Sequence, residues 1–201
     1  MGIDAMMKDE CELDPAACVV GMTGLGKTYW AQQLAERRVL AGEQVIVLDH
    51  GCTWNDWVYG LNGALLSLAE DAVYDGPRRY CGELDDIAAL AIQRGHGRTP
   101  LVIEFEGAYL RRGGIEKRLA PLQGWLRQCS APLTVVVDEV FYLQQYEDAI
   151  AQILTSIRWN GTRVVTLAQA ARDADWLRQF VGKLAAVPLS AVRRDPFPKQ
   201  A

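Results

Sequence analysis

The sequence predicts an α/β protein with a mainly parallel central sheet and helices on both faces. Short apolar runs, such as 45–49 and 133–140, alternate along the chain with longer segments of helical character. Continuous apolar strands are typical of a parallel sheet that is covered on both faces, and their alternation with helices indicates βαβ units. With 201 residues, half of them hydrophobic and 23% charged, the chain suits a globular domain with a sizeable core.

The predicted strands are short runs rich in apolar and β-branched residues. They lie at 17–20, 45–49, 101–106, 133–140, 163–169 and 184–190. The predicted helices have apolar residues at helical spacing, an acidic start or a glycine end. They lie at 27–42, 62–70, 84–95, 115–129, 144–160 and 173–181.

The chain is expected to contain one domain preceded by a short extension. The stretch 1–15 is polar and acidic and ends in a proline, so we interpret it as an N-terminal tail or cap. The rest, 16–201, shows no internal repeat and no linker long enough to divide it. We therefore assign 16–201 to a single domain.

The net charge restricts how the protein could contact nucleic acid. The formal charge is −4, from 21 basic and 25 acidic residues. A protein that coats nucleic acid with its whole surface is expected to be basic. Any contact with DNA must therefore come from a local basic patch, or from a ring of such patches contributed by several subunits.

The cysteines and histidines give no sign of a disulfide framework or a zinc site. The five cysteines include no C-x-x-C pair, and His50 and His96 lack metal-ligand spacing with them. We expect reduced thiols, no zinc and a cytoplasmic protein. No apolar run approaches the roughly 18 residues that a membrane-spanning helix needs.

The residues after the first predicted strand match a complete phosphate-binding motif. Gly21-Met22-Thr23-Gly24-Leu25-Gly26-Lys27-Thr28 satisfies G-x-x-x-x-G-K-[ST] between a strand and a helix. The glycines let successive backbone N–H groups surround an anion, Lys27 can reach the β- and γ-phosphates, and the Thr28 hydroxyl can ligate Mg²⁺. An ordinary glycine turn is the structural alternative. The candidate nucleotide-binding residues are Gly21, Met22, Thr23, Gly24, Leu25, Gly26, Lys27, Thr28 and Tyr29.

A second motif has the acidic residues that such a loop requires. The apolar run 133–137 is followed by Asp138 and Glu139. Asp138 is placed to hold the Mg²⁺ shell through water, and Glu139 to orient or deprotonate a water that attacks the γ-phosphate. The alternative is an acidic turn after a core strand. The carboxylate of Glu139 favours hydrolysis over transfer to a small acceptor.

A third candidate is Gln169, which ends the apolar strand at 163–169. An amide at the end of a strand beside the metal-binding acid can sense the γ-phosphate and pass its loss to neighbouring structure. The alternative is a glutamine with no role beyond ending the strand.

Together, these motifs resemble the FtsK/HerA superfamily of P-loop ATPases over about 16–190. The resemblance implies a RecA-like P-loop NTPase fold that uses ATP and Mg²⁺. It also implies that Arg158, shortly before Asn160-Gly161, is an arginine finger that reaches the nucleotide of the next subunit. Arg163 is the second candidate for this role. An arginine that meets the helix dipole is the alternative for Arg158. The chain departs from the family after Gln169, where Ala170-Ala171-Arg172 replaces the usual Arg-Pro.

The small size of the chain is similar to that of the minimal genome-packaging ATPases of membrane-containing icosahedral viruses, which belong to this superfamily. The resemblance implies translocation or packaging of double-stranded DNA by a ring homo-oligomer, a pentamer or hexamer. A capsid or membrane docking protein would be a further partner. The location would then be the host cytoplasm or the virion.

The densest basic stretch, 109–118, is the candidate for the DNA contact. Its cations are Arg111, Arg112, Lys117 and Arg118, on a predicted loop and helix start with flexible glycines. Lining a pore, they could bind phosphates without sequence preference. The alternative is an ordinary solvated surface.

Three rival functions remain open at this point. Another motor, for secretion, conjugation or filamentous-phage assembly, would move protein or single strands. A small-molecule or nucleoside kinase would leave Glu139 and Gln169 without a role. A nucleotide-binding adaptor would not hydrolyse ATP.

Overall fold

The computed structural model describes residues 16–70, 72–75, 78–81, 99–108, 115–128, 132–157, 162–181 and 183–192. Its strands, numbered along the chain, are β1 (Ala16–Val20), β2 (Gln44–Asp49), β3 (Ala64–Ser67), β4 (Ala72–Asp75), β5 (Arg78–Cys81), β6 (Leu101–Glu104), β7 (Leu133–Val137), β8 (Thr162–Ala168) and β9 (Ala185–Pro188). Its helices are α1 (Lys27–Leu40), α2 (Asn55–Gly60), α3 (Ile115–Gln128), α4 (Val140–Leu143), α5 (Glu147–Ser156), α6 (Arg178–Val181) and α7 (Leu189–Val192). Two 3₁₀ segments span Gln144–Tyr146 and Ala171–Leu177.

The strands form one mainly parallel sheet, so the predicted α/β class is confirmed. The strand order is β5-β4-β3-β6-β2-β7-β8-β1-β9. All pairs from β3 to β9 in this order are parallel, while β4 and β5 form an antiparallel edge. Because parallel strands point the same way, the carboxyl ends of β1, β2, β7 and β8 meet at one edge. In open α/β sheets this is the edge where ligands bind.

Helices cover both faces of the sheet, as the sequence predicts. On one face the core includes leucines of α3 and isoleucines of α5, such as Leu122 and Ile153. On the other face Ala31 and Leu34 of α1 and Val58 of α2 pack against the strands. Fully burying a leucine or isoleucine side chain stabilises the fold by about 1.5–3 kcal/mol. The apolar side of each helix therefore packs against the sheet, which places a layer of helices on each face.

The segment 51–83 differs most from the prediction. The helix expected at 62–70 is wrong, because Ala64–Ser67 forms the fully buried strand β3, paired in parallel with β6. A short apolar run does not distinguish a strand from a helix by periodicity. At Gly63, a Cβ atom would lie 2.4 Å from the Pro100 carbonyl oxygen, so only glycine fits where β3 meets the chain before β6.

The remaining predicted elements agree with the structure where it describes them. The helix expected at 144–160 begins as a 3₁₀ turn and its α-helical part ends at Ser156, and 173–181 is divided between a 3₁₀ segment and α6. The predicted tail 1–15 and the helix 84–95 lie outside the described residues. Every helix in the described part of the chain is too short or too polar to cross a membrane.

Candidate functional site

The glycine-rich loop between β1 and α1 curves over the end of the sheet. Gly24 and Gly26 have φ values of 79° and 81°, in the left-handed region that glycine adopts without strain. The N–H of Gly21 donates to the Ala168 carbonyl at 3.1 Å, which ties the loop to β8. The glycines at these two positions therefore allow turns that other residues would make only with strain.

Lys27 lies against this loop with most of its side chain buried. Its Nζ donates to the carbonyl oxygens of Gly21 at 2.8 Å and Met22 at 3.3 Å, and only 9% of the residue is exposed. Helix α1 begins at Lys27, and no side chain caps it at Gly26 in the described structure. The first N–H groups of a helix have no partners within the helix and carry a partial positive charge. The loop, the helix start and the ammonium together suit a phosphate group.

A hydrogen bond joins the glycine-rich loop to the acidic strand end. Thr28 Oγ1 donates to Asp138 Oδ2 at 2.9 Å, across 110 residues of sequence. The bond is possible because β7 is separated from β1 only by β8, so the ends of all three strands are close. Because a hydroxyl oxygen keeps two lone pairs when its proton is donated, Thr28 Oγ1 remains able to bind a cation.

The Asp138 carboxylate is almost fully buried, at 1% exposure, and three donors surround it. Oδ2 also accepts the indole N–H of Trp54 at 2.9 Å, and Oδ1 accepts the backbone N–H of Glu139 at 2.8 Å. A buried charge is tolerated only when hydrogen bonds or a counter-ion compensate it. The donors in this structure provide that compensation.

Glu139 is half-buried and has an unusual backbone conformation, with φ at 54°. A non-glycine residue in this region is uncommon, and residues with strained backbones cluster at active sites and ligand-binding sites. Burial raises the pKa of Glu139 above its ordinary value, as does the nearby Asp138, while Lys27 and His50 act in the opposite direction. A carboxyl group with a raised pKa is a better proton acceptor near neutral pH than an ordinary surface glutamate.

Gln169 is exposed at the carboxyl end of β8. Because β8 lies between β1 and β7, the residue stands between the glycine-rich loop and the acidic strand end. The sequence predicts this place at the end of a strand, while the role of Gln169 as a sensor of the γ-phosphate stays a prediction. Tyr29, Met22 and Leu25 are also exposed around the loop, at 51%, 75% and 50%.

Sequence reasoning missed two residues next to Asp138. Trp54 is fully buried and donates to Asp138, as described above. Asp49, at the end of β2, is also fully buried, and its oxygens accept the N–H groups of Gly51 at 2.9 Å and Thr53 at 2.8 Å. Burial raises the pKa of Asp49 to about 6, and Asp138 adds to the shift. The sequence signal that could have identified Asp49 is an aspartate at the end of an apolar strand. The run 45–49 shows this signal as clearly as the run 133–138 does.

Most of the other predicted residues lie outside the described part of the chain. Arg158, Arg111 and Arg112 lie outside the described residues. Lys117 and Arg118 belong to α3, but their side chains are also outside the described part. Arg163 lies in β8 and is partly buried.

The described residues contain no cluster of three or more His, Cys, Asp or Glu side chains arranged to hold a metal ion. No protein-family model matches the chain, and a search of curated proteins finds no significant similarity.

Proposed function

We propose that this chain is a Mg²⁺-dependent ATPase with a RecA-like P-loop fold. The observation that carries the proposal is the hydrogen bond from Thr28 to Asp138, which joins the two halves of the site. A complete phosphate loop next to an acidic strand end is the arrangement that nucleoside triphosphate hydrolysis requires. The position of β8 and Gln169 between the two halves supports the same assignment.

The residues of the site fit ATP and Mg²⁺. The backbone of 21–28 and the ammonium of Lys27 suit the phosphates, because both are positively polarised and close together. The Thr28 hydroxyl would bind Mg²⁺ directly, and Asp138 would hold its water ligands. When bound, Mg²⁺ neutralises charge on the phosphate oxygens.

Glu139 is the proposed base of the hydrolytic step. Its carboxylate accepts a proton from the attacking water, whose oxygen forms the new bond to the γ-phosphorus as the bond to the β–γ bridging oxygen breaks. The products are ADP and inorganic phosphate. The raised pKa of Glu139 supports this role, because it brings the proton acceptor closer to neutral pH. In a kinase a carboxylate in this position would take its proton from the acceptor hydroxyl, so the product, free phosphate or a phosphorylated acceptor, distinguishes the two reactions.

The proposed work of this ATPase is translocation or packaging of double-stranded DNA by a pentameric or hexameric ring. The support is the order and spacing of the motifs, which resemble those of the FtsK/HerA superfamily. Arg158 would reach the nucleotide of a neighbouring subunit, since a head-to-tail interface that closes forms a ring. Arg111, Arg112, Lys117 and Arg118 would contact DNA phosphates, and a capsid or membrane protein would dock the ring.

The deciding experiment compares ATP hydrolysis without DNA, with duplex DNA and with single strands. We expect Mg²⁺-dependent turnover that duplex DNA stimulates more than single strands do. Lys27→Ala and Glu139→Gln should each abolish turnover, and Glu139→Gln should still bind ATP because it removes only the base. A mass measurement with nucleotide present tests the ring.

Different results would exclude different parts of the proposal. Normal hydrolysis by Glu139→Gln would remove that residue from the mechanism. Hydrolysis without any response to duplex DNA would contradict DNA translocation and favour a protein-moving motor. A phosphorylated small acceptor in place of free phosphate would indicate a kinase.

A further inference from the structure

We propose that Trp54 is a positioning residue for Asp138, so that the segment after β2 determines how tightly the site holds Mg²⁺. This inference rests on the proposed ATPase function. Its basis is the shared acceptor: Asp138 Oδ2 receives both the Trp54 indole N–H and the Thr28 hydroxyl, each at 2.9 Å. No motif in the sequence marks Trp54 for this role.

The hydrogen-bonding capacity of the carboxylate shows what Trp54 contributes. A carboxylate has about four acceptor positions. In this structure Thr28, Trp54 and the N–H of Glu139 occupy three of them. One position remains for a water molecule of the Mg²⁺ shell. These three donors hold the carboxylate in one orientation before Mg²⁺ binds. The entropy cost of ordering the Asp138 side chain when the metal binds is therefore small.

An indole is well suited to this role for chemical reasons. Its N–H is a donor only, so it can fix a carboxylate without competing for the cation. Trp54 is fully buried in the core that includes Val47 and Val136, which prevents the ring from turning away. A lysine in its place would add a charge that repels Mg²⁺, and a serine would be free to rotate.

Trp54 is also connected to the helix that carries the nucleotide-binding residues. Its ring packs edge-to-face against Trp57, with centroids 5.0 Å apart. The Trp57 indole N–H donates to the backbone oxygen of Gln32 in α1 at 3.1 Å, and Gln32 Nε2 donates to the Thr53 carbonyl at 2.9 Å. The segment 53–57 is therefore attached to α1 by two hydrogen bonds, and the bond from Gln32 to Thr53 does not involve Trp57. Replacing Trp57 with phenylalanine keeps that bond and an aromatic ring against Trp54.

The test compares Trp54→Phe with the matched control Trp57→Phe. Both substitutions keep an aromatic ring and remove one indole N–H, but only the first removes a donor to Asp138. Calorimetry measures the affinity for a non-hydrolysable ATP analogue at saturating Mg²⁺ and again in EDTA. The ratio of the two affinities reports the contribution of the metal without any turnover.

We expect Trp54→Phe to lower this ratio about tenfold, the lower end of the loss in metal affinity that follows removal of an outer-shell hydrogen-bond partner. Its affinity in EDTA should equal that of the wild type, and Trp57→Phe should change neither value. A wild-type ratio in Trp54→Phe would overturn the positioning role while leaving the ATPase proposal intact. A wild-type protein that binds no nucleotide would overturn both.

A second measurement does not depend on a folded Trp54 variant. The wild-type protein with ¹⁵N-labelled tryptophan gives one indole signal for each of its six tryptophans, assigned by substituting the other five in turn. The Trp54 signal should change when Mg²⁺ is added to the protein holding the ATP analogue. If it does not move while the metal binds, Trp54 does not position Asp138.

Discussion

Strands β2 and β7 are neighbours in the sheet, and each is followed or ended by a buried aspartate. Asp49 ends β2 and Asp138 follows β7, at exposures of 0% and 1%. Their partners differ in kind. Asp49 accepts two N–H groups from its own loop, at Gly51 and Thr53. Asp138 accepts donors from Thr28 and Trp54, which are 110 and 84 residues away.

The difference separates a residue that shapes a turn from one that belongs to a site. Local N–H groups close a loop, which is a common use of aspartate after a strand. The donors to Asp138 come from the helix after the glycine-rich loop and from the segment after β2, so this carboxylate joins separate segments at the candidate site. Residue type and the preceding apolar strand are the same in both cases, so only the partners distinguish Asp49 from Asp138.

The largest expected effect comes from replacing each aspartate with asparagine. In the proposed reaction, Asp138→Asn should lower the rate of ATP hydrolysis about a thousandfold, because a preorganised charge at the metal is lost. Asp49→Asn should lower it by less than about tenfold. Steady-state hydrolysis at saturating ATP and Mg²⁺ measures both, with circular dichroism to confirm folding. Equal losses would mean that the two carboxylates act together.

An intermediate effect is expected on the pH dependence of stability. The pKa of Asp49 is about 6 in the folded protein, above its ordinary value of 3.8, so folding favours the protonated form. The protonated Asp49 side chain therefore contributes on the order of 2–3 kcal/mol to the free energy of unfolding below about pH 4. This contribution is lost as the pH rises through 6. Asp49→Asn should therefore gain stability relative to the wild type between pH 4 and pH 7.

Urea unfolding of both proteins at several pH values checks this prediction, and the difference between them isolates Asp49 from other titrating groups. A difference that does not vary with pH would show that Asp49 stays ionised in the folded protein. Its carboxylate would then be compensated by the N–H groups of Gly51 and Thr53 more fully than its burial suggests.

The smallest expected effect concerns the glycines of the two loops. Gly24 has φ at 79°, so Gly24→Ala should cost about 1–2 kcal/mol through backbone strain, although a Cβ meets no atom within 4 Å. At Gly51 a Cβ would lie 3.4 Å from Thr53 Cγ2, an ordinary contact, so Gly51→Ala should change stability by less than about 0.5 kcal/mol. The free energies of unfolding in urea measure both. A larger loss at Gly51 would show that the loop after β2 is as constrained as the glycine-rich loop.

Local patterns predicted the parts of the site that are contiguous in sequence. The run 21–28 was identified because glycine spacing, lysine and threonine are all required by one loop. Asp138 and Glu139 were identified because an apolar strand precedes them. The strand β3 was missed, since the run 64–67 is too short for its periodicity to distinguish strand from helix.

The amino-acid sequence by itself determined the α/β class, the glycine-rich loop and the acidic strand end, because each depends on neighbouring residues. The tertiary structure alone decided which distant groups meet there. The bond from Thr28 to Asp138 and the donor from Trp54 require β8 to lie between β1 and β7, and β2 to lie beside β7. Strand order follows from how the whole sheet buries its two faces, and no local pattern records that choice.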